Sequence, residues 1–157
     1  MSQSVELGDV LEEKGIYVGT VNGTSMFPML RNKKDTVIIR PLTGKLKKYD
    51  ITLYRKRNLY VLHRIVKVTP GGYIICGDNC INLETDITDE QIIGKMEGFY
   101  RGERQISLDS FLYKLYCRIW VALYPIRYLM KKLKIRECYD RGKNKFSQYD
   151  YPHSGSI

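Results

Sequence analysis

Hydrophobic and polar residues along the central part of the chain follow the spacing of β-strands. Short apolar or alternating segments are separated by glycine, proline, asparagine and charged residues, which favour turns. The pattern predicts strands at residues 16–21, 35–40, 51–56, 59–68, 73–76, 91–100 and 104–108, with polar connections at 41–48 and 79–90. Strands this close together indicate a mainly β fold, either a coiled antiparallel sheet or a partly open barrel.

Helical periodicity replaces this pattern at both ends of the chain. Residues 4–14 are predicted to form a short helix that Ser4 caps and Gly15 ends. From Asp109 onward, apolar residues recur at steps of three and four, which predicts a helix over 109–136 that Pro125 kinks or splits. Its apolar stripe consists of Leu112, Leu115, Tyr116, Ile119, Leu123, Ile126, Met130 and Leu133. The chain from about residue 141 is polar and is expected to fray.

The formal charge of +9 is concentrated near the C-terminal end, where residues 111–157 hold 10 Lys and Arg but 3 Asp and Glu. A basic amphipathic helix suggests an anionic membrane surface as the partner of 109–136. Trp120 and the tyrosines at 113, 116, 124 and 128 are residue types that favour a membrane interface. The alternative is that the stripe packs on the sheet or on a second copy, giving a homo-oligomer. Nucleic acid is not expected as a partner, because no recognition motif for it is present.

The start of the chain and its cysteines bear on where the protein works. Residues 1–14 are polar and acidic, unlike a secretory signal, and no run of about 18 uncharged apolar residues is present. We therefore expect a cytoplasmic protein, peripheral at the inner membrane face if the basic helix binds there. The cysteines lack the spacing of a zinc site, so reduced thiols without a metal or cofactor are the expectation. They are Cys76, Cys80, Cys117 and Cys138.

The segment from Gly23 to Pro28 is the first candidate for chemistry. Gly23 allows a tight turn, and Pro28 fixes its own φ and favours an extended Phe27. Ser25 would then lie on a stiff connection between two strands, with its hydroxyl presented rather than packed. Such a segment by itself is more often an ordinary turn, because glycine, threonine, serine and proline are turn residues.

Two further motifs follow this Ser-Met-x-Pro segment in order. His63-Arg64-Ile65 lies on a predicted strand, and Gly77-Asp78-Asn79 ends the next one. The three motifs together resemble the signal peptidase superfamily, which joins the type I signal peptidases to the LexA-like self-cleaving repressors, over about residues 17–107. Many bacterial members carry lysine where this chain has His63, which makes it similar to the endoplasmic-reticulum, archaeal and sporulation-type branch. The leading helix is too short to be the DNA-binding domain of the repressors.

The resemblance implies a Ser-His centre. Ser25 would attack the scissile carbonyl, and His63 would accept its proton and later protonate the leaving amine. A third group often orients the histidine, and Asp78 is the tentative choice because it matches a motif position. Glu84 and Asp86 remain alternatives, as does a purely structural role for Asp78.

The surroundings of the centre follow partly from the resemblance and partly from the geometry of a strand. The oxyanion hole would include the backbone N–H of Ser25, with Thr24 adjacent; bacterial relatives often add a hydroxyl two residues before the nucleophile, where this chain has Gly23. Arg64 should point to the sheet face opposite His63 and serve as a structural ion-pair partner. The substrate cleft is expected to include the three residues after the nucleophile, unless they simply fill the core: Met26, Phe27 and Pro28.

These inferences combine into a serine endopeptidase that cuts leader or signal-type peptides bound in extended form. Residues 1–108 would form the peptidase domain, led by a helix within 1–15, and residues 109–157 a basic amphipathic tail. The alternative is a catalytically weak or inactive module with a peptidase fold, which binds peptides or the membrane surface.

Overall fold

A computed structural model of the protein describes residues 7–134. Ser4, the expected helix cap, and residues 135–157, which include the end of the predicted C-terminal helix and the polar tail, lie outside the described residues. The elements in chain order are α1 (Leu7–Lys14), β1 (Tyr17–Thr20), β2 (Asp35–Arg40), β3 (Ile51–Lys56), β4 (Leu59–Thr69), β5 (Gly72–Cys76), β6 (Glu84–Ile87), a 3₁₀ turn (Asp89–Gln91), β7 (Ile92–Arg101), β8 (Arg104–Ser107) and α2 (Phe111–Ala122). A further helix, α3, spans residues 124–134.

The eight strands form one antiparallel sheet in the order β1-β2-β7-β3-β4-β5-β6, and β8 also pairs with β7. The central strand β7 pairs with β2 along most of its length. On its other side it meets β3 near its start, where Thr52 pairs with Lys95, and β8 near its end, where Ile106 pairs with Phe99. The mainly β, antiparallel fold expected from the hydrophobic pattern is therefore confirmed.

The sheet curls into a half-barrel. Strands β3 and β6 are separated by two other strands, which would place them about 14 Å apart in a flat sheet. Nevertheless, the Lys56 ammonium in β3 and the Glu84 carboxylate in β6 are 2.6 Å apart. A shift of register in β4 between Ile65 and Lys67 contributes to the bend, because a bulge bends a strand and increases its twist. The curled face thus brings together side chains from strands that are not neighbours.

Two hydrophobic clusters form the core, and alternate residues of β3 contribute to each of them. Leu53 packs in the larger cluster, and Tyr54 in the smaller one. The larger cluster also contains Leu11 of α1, which is the only fully buried residue of that helix, and Met26, the residue directly after Ser25. Met26 therefore anchors the Ser25 segment in the core.

Strand β6 lies inside the segment 79–90 that was expected to be a polar loop. It pairs with β5 through Tyr73–Ile87 and Ile75–Glu84. The polar-loop prediction is wrong for these four residues, which form a strand. The sequence does not reveal the strand, because Ile87 alone among the four is buried and no alternation of apolar residues marks it. Pairing with β5 and the contacts of Glu84 hold it in the sheet.

Within the described part of the chain, residues up to Ala122 form one compact unit and residues from Leu123 form another. Helix α2, in the first unit, bonds to the buried turn that follows β5: the Tyr116 hydroxyl donates to the Asp78 carboxylate and the Trp120 indole N–H to the Asp78 carbonyl, each at 3.0 Å. These two aromatic side chains, together with Tyr113, thus face the sheet and not a membrane interface.

The helical segment is split close to Pro125, as the sequence indicates. Helix α2 ends at Ala122, Leu123 lies in a turn, and α3 begins at the next residue. Proline has no N–H to donate and its ring crowds the preceding turn of a helix, which accounts for the interruption. None of the helices within residues 7–134 is both long enough and apolar enough to cross a bilayer.

Candidate active site

Ser25 opens a turn that leaves its reactive groups available. Gly23 has a φ of 109°, a conformation that residues with a Cβ rarely adopt, and its N–H donates to the Asn32 side chain at 2.9 Å. The Phe27 N–H donates to the Thr24 carbonyl at 3.1 Å and closes the turn around Ser25. Within residues 7–134, neither the hydroxyl nor the backbone N–H of Ser25 has a hydrogen-bond partner. Ser25 is half-buried, and its hydroxyl is left without a protein partner among these residues.

The Gly77-Asp78-Asn79 segment holds this turn in place. The Asn79 N–H donates to the Ser25 carbonyl at 2.7 Å, and its side-chain amide donates to the Thr24 carbonyl at 3.1 Å. A Cβ on Gly77 would lie 2.6 Å from the Ser25 carbonyl oxygen and 2.9 Å from His63 Nε2, which is impossible without displacement. The distance between the Ser25 carbonyl oxygen and His63 Nε2 therefore cannot exceed the sum of these two distances. Glycine at this position lets the serine and the histidine approach each other.

His63 is buried on β4, and two groups face its Nδ1 atom. The Glu84 carboxylate lies 3.3 Å from Nδ1, and the Tyr54 hydroxyl lies 3.2 Å from it. Burial lowers the pKa of His63 below its ordinary value, and the neighbouring Glu84 carboxylate opposes this only in part. The imidazole is therefore neutral at neutral pH. With a carboxylate at Nδ1, the proton of the neutral ring resides on that atom, and Nε2 on the Ser25 side carries the lone pair.

Glu84 remains ionised in this position. Partial burial acts to raise its pKa, but hydrogen bonds from Lys56 and Tyr54 outweigh that effect, and the pKa lies below its usual value. Lys56 Nζ contacts one carboxylate oxygen at 2.6 Å, while the other oxygen is the one 3.3 Å from His63. Burial is the main cause that raises the pKa of Tyr54, and the Glu84 carboxylate raises it further. The phenol therefore stays protonated and donates to the Glu84 carboxylate.

Asp78, the tentative orienting group, is occupied elsewhere. Arg64 Nε and Nη2 donate to its two carboxylate oxygens at 2.8 Å each, and the Tyr116 hydroxyl donates at 3.0 Å. Both side chains of this ion pair are almost fully buried. The structure thus places Glu84 at Nδ1 of His63 and Asp78 on Arg64; Asp86, the third alternative, is exposed. The structural role expected for Arg64 is confirmed.

A cleft of about 370 Å³ begins at Ser25. Met26 borders it while packing in the larger core cluster, as in the core-filling alternative, and apolar side chains from four strands complete the lining: Tyr17, Val37, Leu53 and Leu62. Phe27 and Pro28 do not line this cleft; Phe27 is exposed, and the peptide bond between the two is cis. Thr24 is exposed beside the serine, with its carbonyl bound by Asn79. A larger cleft of about 640 Å³, at Lys47 and Arg118, includes none of the residues named from the motifs.

Two residues of the site, Tyr54 and Lys56, escaped sequence reasoning although a signal for them existed. The expected hairpin at Arg57-Asn58 fixes the register of β3 and β4, in which Thr52 pairs with His63. Tyr54 and Lys56 lie two and four residues further along β3 and so share the face of His63. Glu84 could not be selected in this way, because its strand was not predicted.

The described residues include no group of three or more His, Cys, Asp or Glu side chains placed to hold a metal ion. In comparisons with known proteins, no protein-family model and no curated protein matches this chain. What can be concluded about chemistry thus rests on the site itself: an available serine beside a buried, neutral histidine whose far nitrogen faces a carboxylate.

Proposed function

We propose that the protein is a serine endopeptidase in which Ser25 is the nucleophile, His63 the general base and Glu84 the group that orients it. The observation that carries the proposal is that the Ser25 carbonyl oxygen and His63 Nε2 both lie within 3 Å of the position of a Gly77 Cβ, while Nδ1 of the same ring faces Glu84. A serine hydroxyl needs an adjacent base to attack a carbonyl, and the base is in turn oriented by a third group.

The proposed reaction uses the protonation states described above. Ser25 Oγ attacks the scissile carbonyl carbon while its proton passes to Nε2 of the neutral His63. The Glu84 carboxylate stabilises the imidazolium that results, and the Ser25 N–H donates to the oxyanion. His63 then gives its proton to the leaving amine. Water, deprotonated by the same histidine, hydrolyses the acyl-enzyme and regenerates Ser25.

The cleft at Ser25 supports a peptide substrate in extended form. Its wall is largely apolar, and β1, which leads toward Ser25, stands at one end of the strand order, where a peptide could add as a further strand. The order of the three motifs, which resembles the signal peptidase superfamily, favours leader or signal-type peptides as substrates. It implies only weakly a preference for small residues before the cut.

The second candidate is a weakly active or inactive peptidase-fold module that binds peptides. The observation that favours it is Gly23, which stands where bacterial signal peptidases often supply a hydroxyl to the oxyanion hole, so that the Ser25 N–H is the donor that remains in the proposal. This candidate predicts peptide binding in the cleft without turnover.

A mixture of peptides incubated with the purified protein and analysed by mass spectrometry distinguishes the two candidates. We expect new peptide termini with the wild-type chain, and a loss of on the order of 10³-fold or more in cleavage rate for Ser25→Ala and for His63→Ala. Ser107→Ala, which alters an exposed serine outside the site, is the matched control. Cleavage that persists in Ser25→Ala, or its complete absence in the wild type, would rule out the proposed enzyme.

A further inference from the structure

Helix α2 exposes large apolar side chains although one of its sides is fixed to the sheet. Phe111 and Leu112 are each 76% exposed, and Leu115 and Ile119 follow at one-turn and two-turn steps, also exposed. Single exposed apolar residues are ordinary on a protein surface, but a set repeated over successive turns of one helix marks a surface that meets a partner.

Helix α3, considered by itself, has the same character with a higher density of charge. Ile126 and Met130 are 56% and 65% exposed, and Leu133 is exposed beside them. The cations of this helix are Arg127, Lys131, Lys132 and Lys134. Residues 110–134 contain no aspartate or glutamate, and Asp109, just before α2, contacts Lys114 at 3.2 Å. The exposed lysines of α3, Lys132 and Lys134, therefore stand beside its apolar residues in a segment without acidic side chains.

The combination decides among three kinds of partner. A second copy of the chain would bring the exposed Lys132 and Lys134 against an identical pair of cations, which is unfavourable. Nucleic acid would bind the cations but would leave the exposed leucines, isoleucine and methionine in water. An anionic lipid surface accommodates both features, because its acyl region takes the apolar side chains and its headgroups attract the cations.

We propose that α2 and α3 are each a docking element for an anionic membrane surface, with their exposed apolar side chains inserted at the headgroup boundary. With 12 residues, α2 is about 18 Å long, well short of the roughly 30 Å hydrocarbon core, so it lies in the interface plane. Trp120, Tyr113 and Tyr116 stay on the sheet, so the inserted residues are aliphatic together with Phe111.

Binding of the full chain to vesicles tests the proposal without reference to any enzymatic activity. The chain is sedimented with vesicles of phosphatidylcholine alone and of phosphatidylcholine with phosphatidylglycerol, at low salt and at about 0.5 M salt, which screens most of the attraction. We expect binding to the anionic vesicles at low salt, weaker binding at high salt, and little binding to the neutral vesicles.

Charge reversal on α3 is compared with charge reversal elsewhere. Lys132→Glu combined with Lys134→Glu should weaken binding to anionic vesicles by roughly 30-fold or more, because each cation near such a surface contributes about a factor of five. Lys33→Glu combined with Lys34→Glu changes the net charge equally at two exposed lysines outside both helices and outside the cleft that borders α2, and serves as the control. An equal loss in both variants would overturn the proposal in favour of non-specific attraction.

Polar substitutions test the apolar part of the docking surface. Ile126→Asn combined with Met130→Asn should weaken vesicle binding at least tenfold, whereas Leu59→Asn combined with Val68→Asn, at exposed apolar positions on β4, should leave it unchanged. Equal binding to neutral and anionic vesicles would overturn the proposal. So would a dimer that the α3 substitutions dissociate, or retention on RNA that vesicles do not compete for.

Discussion

Two neighbouring residues on β4, His63 and Arg64, point to opposite faces of the sheet, and each meets a carboxylate that follows β5. Arg64 binds both oxygens of Asp78 in a pair almost closed to solvent. His63 faces one oxygen of Glu84, whose other oxygen is bound by the half-exposed Lys56. Strand β4 thus carries a fully buried ion pair on one face. On its other face, His63, Glu84 and the half-exposed Lys56 form a row of ionisable groups.

The two faces differ in whether the basic side chain beside the carboxylate is permanently charged. Hydrogen bonds and attraction from Asp78 outweigh the effect of burial and raise the pKa of Arg64 above its already high ordinary value, so the guanidinium stays charged throughout. Burial lowers the pKa of His63, so the imidazole is neutral until it receives a proton from elsewhere. A carboxylate beside a permanent cation is structural, whereas a carboxylate beside a neutral imidazole can stabilise a charge that forms only during a reaction.

The largest effect we expect is a loss of stability when Arg64 is replaced. Arg64→Met removes the cation and leaves the Asp78 carboxylate buried without its partner, which should lower the free energy of unfolding by about 3–5 kcal/mol. It also removes the bonds from Arg64 to Tyr113 and Cys117 that help to hold α2 on the sheet. Urea unfolding, followed by circular dichroism, measures the change.

The control for this substitution is an ion pair of the same type on the surface. Arg40 contacts Glu97 at 2.9 Å, and both side chains are about half exposed. Arg40→Met should therefore cost less than about 1 kcal/mol. If the two substitutions destabilise the protein equally, the Arg64–Asp78 pair does not have the structural role assigned to it.

The two faces also differ in how far the sequence predicts them. The Ser25 turn, the strand carrying His63 and the structural role of Arg64 follow from local residue patterns and from the alternation of side chains along a strand. The partner of His63 does not, because Glu84 lies on a four-residue strand with a single buried residue and reaches the site only because the sheet curls. Asp78 was the tentative orienting group because of its motif, yet the position of Arg64 on the opposite face determines its partner.

The packing of α2 illustrates the same limit. Its apolar stripe is visible in the sequence, but the side that meets the sheet uses Tyr116 and Trp120 as hydrogen-bond donors to Asp78. Because aromatic residues with a polar atom suit both a membrane interface and a buried polar contact, periodicity alone cannot choose between them. The buried aspartate that decides the choice lies 38 and 42 residues earlier in the chain.

The second expected effect sharpens the comparison at Glu84. Glu84→Gln removes the charge and places an amide near Nδ1, which no longer favours a proton on that atom or stabilises the imidazolium. Altering the orienting carboxylate of a serine protease triad costs about 10⁴-fold in turnover; since Tyr54 still contacts Nδ1, we expect a loss of about 10²-fold in kcat/KM. The measurement uses a peptide that the wild-type chain cleaves.

Asp86→Asn is the matched control, because this exposed carboxylate lies two residues along the same strand. It should change kcat/KM less than about twofold, since an exposed charge in water interacts weakly with the site. A similar loss in both variants would mean that the strand matters only for folding. A wild-type rate in Glu84→Gln would remove Glu84 from the centre.

The smallest expected effect is a shift in the pH at which activity is lost, and two substitutions should shift that pH in opposite directions. The neutral imidazole is the competent base, so activity falls as the pH drops through the pKa of folded His63. Because burial lowers that pKa, the acid limb should lie below the ordinary histidine value of about 6.5. Glu84 raises the pKa of His63 and Lys56 lowers it. Glu84→Gln should therefore move the acid limb to lower pH, and Lys56→Met should move it to higher pH.

These opposite shifts separate an electrostatic role from damage to the fold, because damage would reduce activity at every pH without moving the limb in opposite directions. The measurement is kcat/KM against pH for the wild type and both variants, with Lys45→Met, at an exposed lysine in a loop, as the control that should leave the limb in place. Shifts of the same sign in the two variants would show that neither group acts on His63 through its charge. A wild-type limb above the ordinary histidine value would mean that a different group is the base, since burial outweighs the effect of Glu84 and the net pKa of His63 is lowered.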